Sequence, residues 1–216
     1  MNTDEQLKEE INEELSWDPK LRQAAITVSV RSGIAILTGH TGSYGAKLAA
    51  EEAVRHLKNV KGVVEQITVK LPPEHQRTDN QIEEAIVVML QWNAAIPQHC
   101  VRVSVENGWV ALEGEVDWQF ERETANNLVK DTMGIKGLSN LISIHAHNVP
   151  AALNDTIRHA LQRSADIDAG KISVETSGSI VTLRGRAHSW NERNEIERMV
   201  WCAPGITEVE DELVVA

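Results

Sequence analysis

The stretch "GIAILTGHT", residues 33–41, is a short apolar strand bracketed by glycines. Two relatives of it lie downstream, "GWVALEGEV" at 108–116 and "GSIVTLRGRA" at 178–187. Recurrence of one supersecondary unit decides a fold before any single element does. Sliding the first third onto the second by 75 positions superposes Thr3-Asp4 on Thr78-Asp79. The same shift places Leu7, Ile11, Leu15 and Trp17 on Ile82, Ile86, Leu90 and Trp92. Val28, Val30, Gly33, Leu37, Gly39 and Gly62 fall on Val103, Val105, Gly108, Leu112, Gly114 and Gly137.

The third copy is looser. An offset of 71 matches Leu153, Ile157 and Leu161 to the first helix, falls to 69 at Ile172 and Val174, and returns to 71 at Leu183, Gly185 and Gly205. A hairpin loop two residues longer, around "ETSGS" with Gly178, is expected to absorb the shift. Pro72-Pro73 and Pro150 mark the joints, because proline continues neither helix nor sheet. The domains are therefore set at 1–73, 74–148 and 149–216.

Within one unit the periodicity is legible. Leu7, Ile11 and Leu15 recur at helical spacing among Glu9, Glu10, Glu13 and Glu14, an amphipathic helix with an acidic face. Thr3 or Asp4 is its expected cap. "ITVSVR" alternates Ile26, Val28 and Val30 inward with Thr27, Ser29 and Arg31 outward. Ser32-Gly33, and Asn107-Gly108 in the next copy, supply tight hairpin turns. A second strand ends at Gly39, and a second helix follows with Ser43 as N-cap. Gly62 closes the turn into a third strand. The order is helix–strand–strand–helix–strand, an α/β (α+β) class: three small αββαβ domains, each a three-stranded sheet with both helices on one face.

These residues resemble a known family. "GIAILTGHT", a helix carrying Lys47, and "NVKGVVEQITVKL" are similar to the BON domain, and so are "GWVALEGEV", Arg122 and "GIKGLSNLISI". In the third copy Gly185, Arg193 and "GITEVEDELVV" carry the likeness. The resemblance implies a non-enzymatic protein with no cofactor. It also implies attachment to phospholipid or membrane surfaces in bacterial osmotic-stress or envelope physiology. The rival reading is a protein-interaction scaffold, or a homo-oligomer assembled through sheet faces.

Composition narrows the partners. The chain has 216 residues and a net charge of −11, which disfavours long contacts with nucleic acid, so no nucleic-acid partner is expected. The first repeat (1–73) is nearly neutral, with 9 basic and 10 acidic residues, while the second (74–148) has 5 and 11. No apolar leader or long apolar run is seen, and a cytoplasmic location is the expectation. Cys100 and Cys202 lie in different repeats and are expected to be reduced, mostly buried thiols.

The candidate lipid or partner surface takes residues from two places. Ile34, Ile36, Trp109 and Ile180 lie on the sheet face that the helices leave open. Tyr44, Trp118, Phe120 and Trp190 lie near the start of each second helix, where aromatic side chains suit a lipid interface. Trp17 and Trp92 are expected in the core. Lys47, Arg122 and Arg193 hold one equivalent position and are candidate phosphate contacts, or else partners of carboxylates such as Glu121 and Glu192. Gly33, Gly39, Gly62, Gly108, Gly114, Gly137, Gly178, Gly185 and Gly205 are taken as structural turn glycines. His145 and His147 share a strand face, but further ligands at recognisable spacing are lacking, so no metal site is assigned. No catalytic residues are assigned. "GIKG" at 134–137 reads as a turn rather than a backbone-clamping loop.

Overall fold

The computed structural model describes residues 4–57, 59–145, 153–164 and 169–215. The first repeat runs α1 (Asp4–Trp17), β1 (Ala25–Arg31), β2 (Ile34–Thr41), α2 (Tyr44–Arg55) and β3 (Gly62–Val69). The second runs α3 (Asp79–Trp92), β4 (Val101–Glu106), β5 (Trp109–Val116), α4 (Gln119–Val129) and β6 (Gly137–Ile144). The third runs α5 (Leu153–Arg163), β7 (Ile172–Ser177), β8 (Ile180–Ala187), α6 (Trp190–Trp201) and β9 (Glu208–Val215). The sheets are ordered β1-β2-β3, β4-β5-β6 and β7-β8-β9. The protein is thus a mixed α/β chain of three repeated αββαβ units. The described residues gather into two compact units, one within 1–113 and 124–141, the other within 114–123 and 142–216.

Strand direction follows from connection length. A two-residue turn joins β1 to β2, so they pair antiparallel, with Arg31 opposite Ile34. The connection from β2 to β3 passes through α2, so that pair is parallel, with Ile34 opposite Gly62. Alternation sends Val28, Ala35, Leu37 and Ile67 to the helix side of the sheet. Leu7 and Ile11 of α1 and Ala46, Ala50 and Val54 of α2 close over them. In the third repeat Leu153, Ile157, Leu161, Ile196 and Val200 cover Val174, Val181, Leu183 and Leu213 in the same way.

Local signals set the helix ends. Ser43 Oγ accepts the Ala46 N–H at 3.1 Å and starts α2. Thr78 and Gln81 form a reciprocal capping box at α3. For α1 the expected caps are Thr3 or Asp4. Thr3 lies outside the described residues, and the Asp4 carboxylate turns away from its own helix. It accepts the N–H groups of Ser32 and Gly33 at 2.7 and 3.0 Å, bracing the hairpin turn of its repeat. Asp79 does the same for Asn107 and Gly108, at 2.7 and 2.9 Å.

Several expectations are corrected. The third hairpin has no longer loop: Gly178 and Ser179 form a two-residue turn, with Ser177 opposite Ile180 and Ile172 opposite Gly185. The offset of 71 therefore holds through β7. A shift of two residues moves a strand by one full side-chain period, so the inward pattern looks identical before and after it. Gly39 does not end β2, which continues to Thr41. Gly39 has φ +126°, and a Cβ there would lie 2.0 Å from the Ala25 carbonyl oxygen, so glycine admits the neighbouring strand at that point. Gly62 and Gly137 are not turn residues; each opens a strand.

Candidate functional site

Trp17 and Trp92 are not core residues. They are 82% and 85% exposed, the most open of the large apolar side chains among the described residues. Helix geometry gives the reason. At about 100° per residue, a side chain two positions beyond Leu15 points about 200° away from it. The same holds for Trp92 relative to Leu90. Along α3 the solvent side continues this apolar character, with Ala85, Val88 and Trp92 exposed at helical spacing. On α1 the matching positions before Trp17 include Glu10, Glu13 and Glu14, all exposed.

The open sheet faces differ between copies. In the first, Ile34 is exposed and Ile36 half-buried, and Ile36 sits opposite the exposed Val64. In the second, Trp109 is 57% exposed and lies flat across Gly137. A Cβ on Gly137 would fall 2.2 Å from the Trp109 ring. The third face is ionic. Ile180 is half-buried. Thr182 donates to Glu210 at 2.9 Å, and Arg184 bridges Glu175 and Glu212 at 2.7 Å each.

Residues at the second-helix starts are also diverse. Tyr44 is half-buried, and its hydroxyl is hydrogen-bonded to the backbone at Leu138. Burial, and next the Glu51 carboxylate, raise its phenol above the ordinary tyrosine range. Beside it, a Cβ on Gly45 would lie 2.2 Å from Asp131 Oδ1, so the first and second repeats meet closely at this helix end. Trp118 and Phe120 are exposed. Trp190 is half-buried, with the Arg193 guanidinium 4.9 Å from its ring centre.

Two of the three equivalent cations have ionic partners other than those expected. Lys47 pairs with Glu65 at 2.9 Å and Arg193 with Asp211 at 2.6 Å, each reaching from the second helix to the third strand. Arg122 is half-buried. Glu121 and Glu192 are buried and serve their own helix starts. Glu121 accepts the N–H groups of Asp117 and Trp118, and Glu192 accepts that of His188. His145 lies 3.1 Å from Glu115, while His147 falls outside the described residues. Among the described residues no three His, Cys, Asp or Glu side chains gather as metal ligands. Cys100 is half-buried and Cys202 exposed, so neither is the buried thiol expected. No helix of the described residues is long and apolar enough to cross a membrane.

Comparison with known proteins agrees with the threefold reading. The BON domain model matches residues 3–70, 78–146 and 151–216. No curated protein matches the chain. Among solved structures, the chain is similar to CdsD, a structural protein of the type III secretion system of Chlamydia trachomatis. The identity is 15%, over 97% of this chain and 92% of that one, with a TM-score of 0.27. A C-terminal domain of CdsD matches at 13% identity over 96% of each chain, also at 0.27. The PrgH periplasmic domain matches at 11% identity over 88% of this chain and 95% of that one, at 0.24. At these TM-scores the superpositions are loose. The family match covers nearly the whole chain: it belongs to the BON-domain family, in three tandem copies.

Proposed function

We propose that this chain is a non-catalytic attachment protein that holds a phospholipid surface through exposed tryptophans. BON domains are non-catalytic binding domains, so a binding role is the coarse reading. The finer reading rests on one observation: Trp17 and Trp92 stand in water at equivalent helix ends, 82% and 85% exposed. Indole is favoured at the boundary between water and hydrocarbon, where its ring meets acyl chains and its N–H meets headgroups. Repeat two leads, because Val88 and Ala85 extend its exposed apolar stripe without a charge. Trp109 on the open sheet face and Phe120 are further contacts in this reading. The net charge of −11 points to zwitterionic lipid as the better target. The test is tryptophan fluorescence with phosphatidylcholine vesicles. A blue shift that shrinks in Trp92→Ser supports the reading, and an unchanged spectrum refutes it.

A second reading, self-assembly through sheet faces, is favoured by the adjacent Ile34, Ile36 and Val64 on the open face of the first sheet. Light scattering tests it. A mass above 23.9 kDa that falls in Ile36→Lys supports assembly; a monomer at all concentrations refutes it.

A further inference from the structure

The chain has 32 acidic and 21 basic residues, and some of its cations sit against carboxylates. Lys47 meets Glu65, Arg55 meets Glu51, Arg193 meets Asp211 and Arg198 meets Glu195, all within 2.9 Å. Three cations without such partners among the described residues converge elsewhere in the fold. An open cleft of about 530 Å³ lies where the first repeat runs into the second. Lys70, Arg77 and Lys136 line it, and none of the three forms an ion pair among the described residues. The one carboxylate in the lining is Asp79, and both its oxygens already accept backbone N–H groups, from Asn107 and Gly108.

Two of the three cations are anchored. Arg77 Nη1 donates to the carbonyls of Glu74 and Gln76 at 3.0 and 2.7 Å, which leaves Nε and Nη2 for another acceptor. Lys136 Nζ donates to the Asn107 carbonyl at 2.9 Å and keeps two further protons. Holding such groups in place lowers the ordering cost of binding. Val69 and Leu71 add apolar lining. The volume falls in the range of small-molecule sites.

We propose that this cleft binds a phosphate-bearing anion, held by Lys70, Arg77 and Lys136. A phosphate group offers several charged oxygens in different directions, which suits three donors arriving from separate segments. Arginine and lysine are the side chains that commonly recognise it. The three donors come from the end of β3, the connector and the loop before β6, so a bound anion also ties the first two repeats together. The other copies lack the set: the position of Lys136 is Thr207 in the third, and that of Lys70 is His145 in the second. The inference stands apart from membrane attachment, since the phosphate can be free or part of a lipid headgroup.

The experiment is an amide NMR titration of the full chain with inorganic phosphate and with glycerol phosphate. It is paired with co-sedimentation on phosphatidylglycerol and phosphatidylcholine vesicles. Expected are saturable shifts at Asn107, Gly108, Gly134 and Lys136, with affinity reduced at least about tenfold in Arg77→Gln/Lys136→Gln and unchanged in Lys8→Gln. A dispersed spectrum of the double variant confirms that it is folded. Saturation by the soluble probes alone identifies a free-anion site. Phosphatidylglycerol binding lost only in the double variant identifies a headgroup site. The proposal is overturned if neither soluble probe saturates these amides and vesicle binding is the same in the double variant. In that case binding to phosphatidylcholine still decides the membrane reading separately.

Discussion

The Asp79 carboxylate accepts the Gly108 N–H at 2.9 Å across 29 positions of sequence, and its other oxygen accepts the Asn107 N–H at 2.7 Å. The first residue of α3 thereby fixes the β4–β5 turn of its own repeat. Asp4 repeats the device with Ser32 and Gly33. Hydrogen bonds to a charged acceptor contribute about 1.5–3 kcal/mol. Asp79→Ala is expected to destabilise the second repeat by about 2 kcal/mol, read by urea unfolding. Hydrogen exchange at Gly108 accelerates while that at Gly33 stays as it was. Asp4→Ala gives the converse pattern.

Gly62 and Gly137 hold one position in two copies but face different neighbours. Nothing lies within 4 Å of a Cβ on Gly62, whereas one on Gly137 meets the Trp109 ring at 2.2 Å. Gly62→Ala is therefore expected to be neutral or to stabilise by up to about 1 kcal/mol, since alanine restricts the unfolded chain. Gly137→Ala lifts Trp109 off the sheet. Its signature is a red shift of emission with a loss of about 1–3 kcal/mol, the usual range for overpacking.

Gly39 and Gly185 have φ of +126° and +139°, with a backbone carbonyl oxygen 2.0 and 2.1 Å from a would-be Cβ. Alanine at either site combines backbone strain with a clash that no rotamer relieves. Each substitution is expected to cost more than about 2 kcal/mol. Thermal unfolding measures this, and Gly185→Ala affects the third repeat selectively.

Tyr44 is the one tyrosine of the chain, so tyrosinate absorbance near 295 nm reports it alone. Burial raises its folded pKa above the ordinary tyrosine value of 10.0, with a further upward contribution from Glu51. The unfolded chain then releases the phenolic proton first as pH rises. The stability that Tyr44 contributes is full below pH 10.0 and declines as pH climbs toward the raised folded value. The absorbance midpoint is expected above 10.0 in native protein and to return to it in urea. Glu51→Gln is expected to lower the native midpoint.

Much of the fold was legible because one unit recurs. Helical spacing of Leu7, Ile11 and Leu15, alternation in β1, and the turn residues at Asn107-Gly108 each appear more than once. What escaped has physical reasons. Equal placement of Trp17 and Trp92 in two copies looks like a core position, yet their angle around the helix puts them in water. Strand alternation cannot register a shift of two, so the pattern of β7 alone leaves its repeat offset open. The Asp79 clamp was hidden because its partners are 28 and 29 positions away. The Lys70, Arg77 and Lys136 cleft was hidden because its residues come from two repeats, and alignment of copies compares positions instead of joining them. Lys47 and Arg193 were found as a recurring position, but their partners on β3 and β9 emerge only once the parallel third strand is in place.

Helix-end tryptophans are proposed to hold a lipid surface. The most direct test is co-sedimentation of the full chain with phosphatidylcholine vesicles, comparing wild type with Trp17→Ser/Trp92→Ser. Both side chains are exposed, so the double variant is expected to unfold at the same urea concentration as wild type. Wild type is expected to pellet with the vesicles and the double variant to stay largely in the supernatant. Wild type remaining in the supernatant, or a double variant pelleting as well as wild type, contradicts the proposal.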